Sequence, residues 1–333
     1  MYREKSFMLA HNQLVEGNLR LSKRAKRRME KIKADNTLRA YGADWNDFAK
    51  WCRFNNETAL PAEPETVVNY INDLADYDVK ANTISRRITA ISENHIAAGY
   101  TGIKNPAKDN LVHVAMTAIR REKGTFQKSK APVLIETLYL FADCFTENDL
   151  AALRDKALIF LGFAGAFRRS ELVGIYYEDL TFTPQGLVIF IPKSKADQLG
   201  RGSTIAIPYA PDKRICAVHA VEEWLAAANI TSGPIFRSFT SNHKLRKNGN
   251  ALSDKAVALI VKKYAALAGF DPAKFAGHSL RRGFATSAAQ HDVSVLSIMR
   301  QTRHRSEKMV HRYIEQGDIF KENPLNRIYN SRY

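Results

Sequence analysis

Cysteine is scarce in this chain, and the three that occur, Cys52, Cys144 and Cys216, lie far apart in the sequence. They form neither a disulfide framework nor a CxxC pair that binds a metal ion. We interpret them as small core residues, which fits a protein of the reducing cytoplasm.

Long apolar runs and cofactor-binding motifs are also lacking. No run reaches the roughly 18–20 residues that cross a bilayer. Residues 1–10 contain no signal-peptide core, so we expect neither a membrane span nor secretion. The sequence has no Walker loop, no GxGxxG motif at the start of a helix and no HExxH motif. These absences predict a protein without a metal ion or an organic cofactor.

Acidic residues are fewer than basic ones in this chain. Asp and Glu number 34 against 50 Lys and Arg, which leaves a formal net charge of +16 at pH 7. This excess favours a polyanionic partner, above all nucleic acid. It is spread over both halves of the chain, which predicts two basic domains on one polyanion rather than a single basic tail. Its densest part falls in residues 1–34, a basic arm that is either solvated or in contact with a phosphate backbone.

The first half of the chain has the periodicity of a helical domain. Apolar residues at three- and four-residue steps predict four helices between residues 35 and 122. Asn36 and Asn82 are the candidate N-caps of the first and third helices. Residues 123–132 combine charge with Gly and Pro and lack an apolar period, so we predict a linker there.

The second half mixes helices and strands. Two apolar segments, 186–192 and 203–208, are predicted to pair as strands across a polar connection. Helical periods on both sides of them complete an α+β domain over residues 133–316, and residues 317–333 form a tail. The predicted fold class is therefore mainly α with a small β-sheet.

Two motifs of the second half place arginine at the edge of a buried helix. Arg168 follows an almost wholly apolar stretch, and Glu171 lies three residues later on the same helix face, within reach of its guanidinium. His278 and Arg281 are likewise three residues apart at a predicted helix start, which favours phosphate binding. The ordinary alternatives are a structural ion pair and a histidine beside a surface arginine.

Two further motifs complete the set. His304 lies in a predicted turn, nine residues before Tyr313 in the following helix. Lys193 and Lys195 lie on one face of the connection between the two strands. Taken alone, a tyrosine is more often a core residue and a hairpin lysine is more often solvated.

Together and in this order, the motifs resemble those of the tyrosine recombinase (phage-type integrase) family. They comprise an arginine in a GxxRxSEL setting, a hairpin lysine, an HxxR motif, and a histidine nine residues before a tyrosine. The resemblance covers about residues 131–316, and the helical first half is similar to that of Cre-like recombinases. It implies an N-terminal core-binding (SAM-like) domain followed by the catalytic domain. One departure is Arg303, where the family often has glycine.

The resemblance implies a site-specific recombinase that cuts and rejoins double-stranded DNA without a cofactor. The product of cleavage would be a 3′-phosphotyrosyl enzyme, and strands would be exchanged through a Holliday junction in a homotetramer. The enzyme would act in the cytoplasm, on the nucleoid when bound. The implied catalytic residues are Arg168, Lys195, His278, Arg281, His304 and Tyr313, with Glu171 in support.

Each catalytic residue has an implied role. Tyr313 is the nucleophile, Arg168 and Arg281 clamp the non-bridging oxygens, and His304 donates a further hydrogen bond. His278 is the candidate base. The acid that protonates the departing 5′ oxygen is Lys195, with Lys193 as the second choice.

Residues outside the catalytic set are implied to contact DNA or a second protomer. The tail at residues 323–333 is expected to dock on a neighbouring protomer. The candidate DNA-binding residues, which a solvated charged face would equally explain, are Arg39, Asn82, Arg86, Arg87 and Lys255.

Two other functions remain open on the same residues. A type IB topoisomerase uses similar chemistry, although the separate helical domain and the short chain favour a recombinase. A catalytically silent DNA-binding regulator is the second alternative. All six implied catalytic positions are occupied by competent side chains, which argues against it.

Overall fold

The computed structural model describes most of the chain between residues 35 and 317. The described ranges are 35–126, 129–146, 149–192, 202–240, 244–246, 251–304 and 306–317, together with Leu325, Ile328 and Tyr329. The predicted arm at residues 1–34, the strand connection with Lys193 and Lys195, and most of the tail lie outside them.

The chain divides into two compact units, Met1–Lys128 and Ser129–Tyr333, which are called the N-terminal and C-terminal domains below. Across the described ranges, no helix is both long enough and apolar enough to cross a membrane. The predicted fold class is confirmed, since helices dominate both units and the strands form one small sheet.

Helices account for the described part of the N-terminal domain. They are α1 (Asp35–Phe54), α2 (Pro64–Asp76), α3 (Ala81–Ala97) and α4 (Asn110–Lys123). Short 3₁₀ turns at Gly102–Lys104 and Pro106–Lys108 connect α3 to α4. Each helix turns an apolar stripe inward, because its apolar residues recur at helical spacing. Large side chains of the resulting core include Trp45, Phe48, Tyr70, Ile71, Ile84 and Ile91.

Both predicted caps of this domain are wrong. Helix α1 already includes Asp35, so Asn36 lies within the helix. Helix α3 is capped by the extended backbone of Lys80, so Asn82 occupies its first turn. The cap that the structure does show is Asp109, whose carboxylate accepts the Leu111 N–H at 2.8 Å at the start of α4.

The helices of the C-terminal domain surround a larger core. Those before the sheet are α5 (Ile135–Ala142), α6 (Leu150–Ala164) and the short α7 (Arg169–Val173). Those after it are α8 (Ala217–Ala227), α9 (Asp254–Leu267), α10 (Ser279–Gln290), α11 (Val295–Thr302) and α12 (Glu307–Gly317). Helix α6 is apolar almost all round because it runs through the middle of this core.

The sheet has one strand more than the sequence predicted. Strands β2 (Gly186–Ile191) and β3 (Ser203–Pro208) pair antiparallel as expected, with Ile189 opposite Ile205. Strand β1 (Leu180–Thr183) adds to the other edge of β2.

One close approach fixes the position of α10. A Cβ atom on Gly283 would lie 1.7 Å from the Val133 carbonyl oxygen, so only glycine allows the chain to cross the helix there. The Val133 N–H also donates to the Ser279 carbonyl at 2.9 Å. The segment before α5 therefore holds the first turns of α10, which carry His278 and Arg281.

Candidate active site

The site begins at a tight turn after α6. Ala166 has a positive φ of 45°, and this conformation reverses the chain between the buried helix and Arg168. Phe167 is buried in the turn, 1% exposed, and its ring anchors the turn against the core. The backbone carbonyls of Gly165 and Ala166 face the site as a result, where they accept hydrogen bonds from arginine side chains.

Arg168 and Glu171 form the contact that their spacing predicts. Arg168 is the N-cap of α7, and its Nη1 donates to Glu171 Oε1 at 2.6 Å. The backbone N–H of Arg168 donates to the other oxygen, Oε2, at 2.9 Å. The Glu171 side chain is 2% exposed, whereas that of Arg168 is 18% exposed. The buried carboxylate thus fixes the guanidinium of Arg168, which remains partly exposed to solvent.

Arg281 is almost completely buried. The residue is 4% exposed, and its Nη1 donates to the Ala166 carbonyl at 2.7 Å. Its Nη2 is buried and has no hydrogen-bond partner in the described part of the chain. Burial, followed by the charges of Arg168 and Arg303, lowers the pKa of Arg281 to about 9. A buried donor without an acceptor costs free energy. A bound anion would offset this cost, because it would accept the missing hydrogen bond.

Arg303 enters the same site from the end of α11. It ends the helix with φ 57° and ψ 40°, a left-handed conformation that costs a non-glycine residue about 1–3 kcal/mol. Its side chain is 8% exposed, and its Nη2 donates to Glu171 Oε2 at 2.8 Å. The guanidinium carbon lies 5.0 Å from the centre of the Phe167 ring, a cation–π contact.

Arg168, Arg281, Arg303 and Glu171 are called the arginine cluster below. Burial raises the pKa of Glu171, but the charge of Arg303 and the hydrogen bonds from Arg168 outweigh it, and the pKa lies below its ordinary value. Burial also lowers the pKa of Arg303. Among the described residues, Glu171 is the one carboxylate that pairs with these arginines. The cluster therefore carries a surplus of positive charge.

His304 lies against the arginine cluster. It is 8% exposed, and burial, followed by the charges of Arg281, Arg168 and Arg303, lowers its pKa to about 4. At neutral pH the imidazole is therefore uncharged, and the identity of its protonated nitrogen decides what it can do.

The hydroxyl of Thr302 determines that nitrogen. Its Oγ1 lies 2.7 Å from the Ile298 carbonyl oxygen and 2.7 Å from His304 Nδ1. A hydroxyl has one proton, and a carbonyl oxygen can only accept, so the proton goes to Ile298. His304 Nδ1 must then donate to Thr302, which leaves a lone pair on Nε2. Neutral His304 is thus an acceptor at Nε2 and donates there only after it gains a second proton.

Tyr313 closes the site from α12. Its ring centre lies 5.7 Å from that of His304, at an angle of 36°. It packs partly buried against the small apolar cluster of Ala285, Ala289, Ile298 and Val310. Its phenol is also close enough to Arg281 to raise the pKa of that guanidinium slightly against the effect of burial.

The structure thus brings Arg168, Glu171, Arg281, His304 and Tyr313 together. His278 is the exposed N-cap of α10, three residues before Arg281. Lys195 and Lys193 lie outside the described residues.

Comparison with known proteins decides the family. A model of the phage integrase family matches residues 135–318. An integrase/recombinase described as a xerD homolog, from Selenomonas ruminantium, is 69% identical over 98% of this chain and 94% of its own length. The chain belongs to the phage integrase family. It is a tyrosine recombinase, an enzyme of DNA breaking and rejoining, as the resemblance of its motifs predicts.

More distant relatives match most of this chain. The recombinase Cre of Escherichia phage P1 is 26% identical over 81% of both chains. The Tn1549 transposon integrase, solved with transposon right end DNA, has a TM-score of 0.61 over 91% of this chain and 94% of that one, at 14% identity. A lambda integrase tetramer bound to a Holliday junction has a TM-score of 0.57 over 93% and 76%, at 14% identity. These structures share the fold of the recombinase.

Two arginine doublets left the register of the recombinase motifs open, and the geometry separates their members. Arg169 turns away from Glu171, and its Nη2 lies 3.6 Å from Asp254. Arg282 donates to the Lys130 carbonyl. The contacts therefore favour Arg168 and Arg281 as the cluster arginines.

The candidate DNA-binding residues of the recombinase differ in their exposure to solvent. Arg86 binds Asp44 through Nε at 2.8 Å and Nη2 at 2.9 Å, yet half of its side chain is exposed. Arg87 is largely covered and donates to Asp47 and to the Tyr70 hydroxyl. The other three candidates, Arg39, Asn82 and Lys255, are exposed.

Sequence reasoning missed two residues of the site. Arg303 was noted only because it stands where glycine is frequent, and Thr302 was not noted at all. A glycine-type position at a helix end often has left-handed backbone, so the sequence could have predicted the backbone of Arg303 but not the inward direction of its side chain. Thr302 gives no such signal, since a threonine near a helix end has many partners available.

Proposed function

We propose that this recombinase cleaves one DNA strand at a time and holds it as a 3′-phosphotyrosyl intermediate. The observation that carries the proposal is the arginine cluster, where buried Arg281 has an unused Nη2 donor and one carboxylate, Glu171, serves two other guanidinium groups. A phosphodiester supplies the acceptor oxygens and the negative charge that this arrangement lacks.

Cleavage follows from the placement of Tyr313 beside that cluster. The Tyr313 oxygen attacks phosphorus, the P–O5′ bond breaks, and the strand leaves with a 5′ hydroxyl. Arg168 and Arg281 bind the two non-bridging oxygens, where negative charge grows in the transition state. Glu171 keeps Arg168 in place and does not touch the phosphate, because both of its oxygens are occupied within the protein.

Proton transfer needs an acid and a base. We assign the acid that protonates the departing 5′ oxygen to Lys195, with Lys193 as the alternative, and the base for Tyr313 to His278. His304 donates from Nε2 to a non-bridging oxygen once it holds a second proton. The negative charge of the bound phosphate raises the pKa of His304 and so favours that protonation.

Rejoining reverses the chemistry with a different strand. The phosphotyrosyl bond conserves the energy of the broken phosphodiester, so a 5′ hydroxyl of a second duplex can attack it without a nucleotide cofactor. We infer that strand exchange proceeds through a Holliday junction in a homotetramer. The lambda integrase that shares this fold forms a tetramer on such a junction, which supports the proposal.

DNA binding is assigned to both domains. We propose that Arg39, Asn82, Arg86 and Lys255 face the DNA, and that Arg87 contributes less because Asp47 and Tyr70 already occupy it. Asn82 lines a surface pocket with Lys80 and with Lys123, whose Nζ donates to Asp78 at 3.2 Å, so among the described residues Lys80 adds the uncompensated cation of this pocket. Binding to the phosphate backbone should weaken steeply as salt rises.

The tail offers an apolar contact for assembly. Leu325, Ile328 and Tyr329 are helical and exposed, at 45%, 60% and 78%. We propose that residues 323–333 dock on a neighbouring protomer. Their deletion should leave DNA binding intact and reduce recombination, measured as product yield on a two-site plasmid. An unchanged yield would refute this contact.

The decisive experiment replaces the nucleophile. Wild type should form a denaturant-resistant adduct with a nicked suicide DNA substrate, whereas Tyr313→Phe should bind the same DNA and form none. Tyr329→Phe, at an exposed tail tyrosine, is the matched control and should form the adduct. If Tyr313→Phe still forms an adduct, the nucleophile is another residue. If wild type forms none, the proposed intermediate is wrong.

A further inference from the structure

We propose that Arg303 is a positioning residue for DNA cleavage, which holds Arg168 and Arg281 in register around one phosphate. The inference rests on the proposed role of the arginine cluster. It begins from an unusual combination: a long charged side chain occupies a left-handed position at the end of α11, where glycine is unstrained, and is almost entirely buried.

The side chain of Arg303 uses all four of its Nη hydrogens within the protein. Nη1 donates to the Gly165 carbonyl at 3.1 Å and to the Gln301 carbonyl at 3.0 Å. Nη2 donates to the Ala166 carbonyl at 3.2 Å and to Glu171 Oε2 at 2.8 Å. The fifth N–H, on Nε, is buried and has no hydrogen-bond partner among the described residues. The four Nη hydrogens of Arg303 are thus committed within the protein, whereas Nη2 of Arg281 has no partner among those residues, and this difference separates the two roles.

Two of these acceptors are shared with the phosphate-binding arginines. The Ala166 carbonyl also accepts from Arg281 Nη1 at 2.7 Å. Glu171 also accepts from Arg168 Nη1 at 2.6 Å. Arg303 is thus linked to each of these arginines through one shared acceptor. Because a guanidinium is rigid and planar, Arg303 fixes the distance between the two acceptors.

The same contacts hold the turn after α6. Arg303 binds two consecutive carbonyls of that turn and lies over the Phe167 ring, 5.0 Å from its centre. The neighbouring side chain of Gln301 donates to the Ala164 carbonyl at 2.8 Å. The end of α11 is therefore tied to the end of α6, and His304 follows directly on the same segment. Without Arg303, we expect the turn and Glu171 to lose their common anchor.

Arg303→Gly tests this role because glycine relieves the backbone and removes the side chain. The readout is the single-turnover rate of adduct formation with the suicide substrate at saturating DNA. We expect the rate to fall about 10- to 100-fold, as small displacements of clamping groups do. The Kd for DNA and the folded fraction should stay within about twofold of wild type. Arg303→Lys, which keeps the charge but not the planar fork, should lie between the two.

Chemical rescue separates positioning from packing. Millimolar guanidinium chloride should restore a good part of the Arg303→Gly rate, whereas urea and sodium chloride at the same concentrations should not. Arg300→Ala, at an exposed arginine of the same helix, should cleave as fast as wild type in every condition.

Several outcomes would overturn the proposal. A wild-type rate for Arg303→Gly would do so, as would a loss that follows DNA affinity or folded fraction alone. A loss that guanidinium restores no better than urea would also refute it. If Arg303→Gly does not fold, Arg303→Lys carries the test with the same readouts. Absence of an adduct from wild type would instead refute the proposed function.

Discussion

In the N-terminal domain, Arg86 and Arg87 meet two carboxylates, whereas in the C-terminal domain Arg168 and Arg303 share one. Asp44 binds Arg86 through both oxygens, and Asp47 binds Arg87. In the arginine cluster, Glu171 serves both of its partners, and no carboxylate of the described residues reaches Arg281 at ion-pair distance.

The difference in charge balance has a physical consequence. A paired arginine stabilises the fold modestly or is neutral, because its desolvation is offset locally. A buried arginine without a counter-ion costs stability, and the lowered pKa of Arg281, about 9, reports that cost. We conclude that the N-terminal ion pairs stabilise the fold, whereas the surplus positive charge of the arginine cluster is available to bind a phosphate.

The largest effect is expected from removing the carboxylate of the cluster. Glu171→Gln leaves several buried guanidinium groups without their counter-charge and should destabilise the C-terminal domain by about 3–5 kcal/mol. The measurement is the midpoint of urea unfolding. Glu178→Gln, at an exposed carboxylate of the same domain that accepts the Gly233 N–H, should change the midpoint little. Equal midpoints for the two variants would show that the cluster does not depend on Glu171.

Arg281→Met removes the surplus positive charge and should lower the cleavage rate without lowering the stability of the free protein. The rate of adduct formation should fall about 10²- to 10³-fold, or about 2.7–4 kcal/mol, as when a transition-state donor is lost. The free protein should be as stable as wild type or more so, because a methionine of similar volume needs no counter-charge. Arg87→Met is the matched variant in the N-terminal domain and should lose stability. If Arg281→Met were the less stable of the two, the proposed contrast would be wrong.

These contrasts were only partly accessible from the sequence. The helical periods predicted the long helices, and the three-residue spacing predicted the contact between Arg168 and Glu171, which the structure shows at 2.6 Å. Strand β1 was missed because its four residues are too few for the apolar–polar alternation of Leu-Thr-Phe-Thr to stand out from the surrounding sequence. The caps at Asn36 and Asn82 were misplaced because any Asn near a helix start fits a cap pattern equally well.

The inner geometry of the site was beyond sequence reasoning for a different reason. The surplus charge depends on which carboxylates come near, and those distances are set by tertiary packing of α6, α7, α10 and α11. Nothing in the sequence shows that Arg303 turns inward, since an arginine that ends a helix is usually solvated. The tautomer of His304 likewise depends on two 2.7 Å contacts of Thr302.

The next effect is a pH dependence of stability that comes from His304, which lies against the arginine cluster. The pKa of His304 is about 4, against an ordinary 6.5, because of burial and then the charges of Arg281, Arg168 and Arg303, which Glu171 offsets in part. Between these values the unfolded chain binds the proton more tightly. Stability should therefore fall as pH falls through this window, by about 2 kcal/mol at pH 5.

The check is a series of urea unfolding curves from pH 7.5 to pH 4.5. His304→Gln removes the titrating ring and should show a shallower loss than wild type over this range. His95 is buried with a lowered pKa in the N-terminal domain and adds a loss of the same sign to both proteins. The difference between the two curves therefore belongs to His304. Parallel curves would place the His304 pKa near its ordinary value.

The smallest effect should come from a carboxylate of the paired domain. Asp47 is 46% exposed, so Asp47→Asn should cost about 1 kcal/mol or less in unfolding free energy. Arg87 keeps the Tyr70 hydroxyl at 2.9 Å and has Asp44 at 3.9 Å, so it stays largely covered rather than becoming a new DNA contact. DNA affinity and its salt dependence should then match those of wild type. If DNA affinity instead rose and depended more steeply on salt concentration, Arg87 would be a DNA-binding residue whose charge Asp47 neutralises in wild type. The contrast between the two domains would then be wrong.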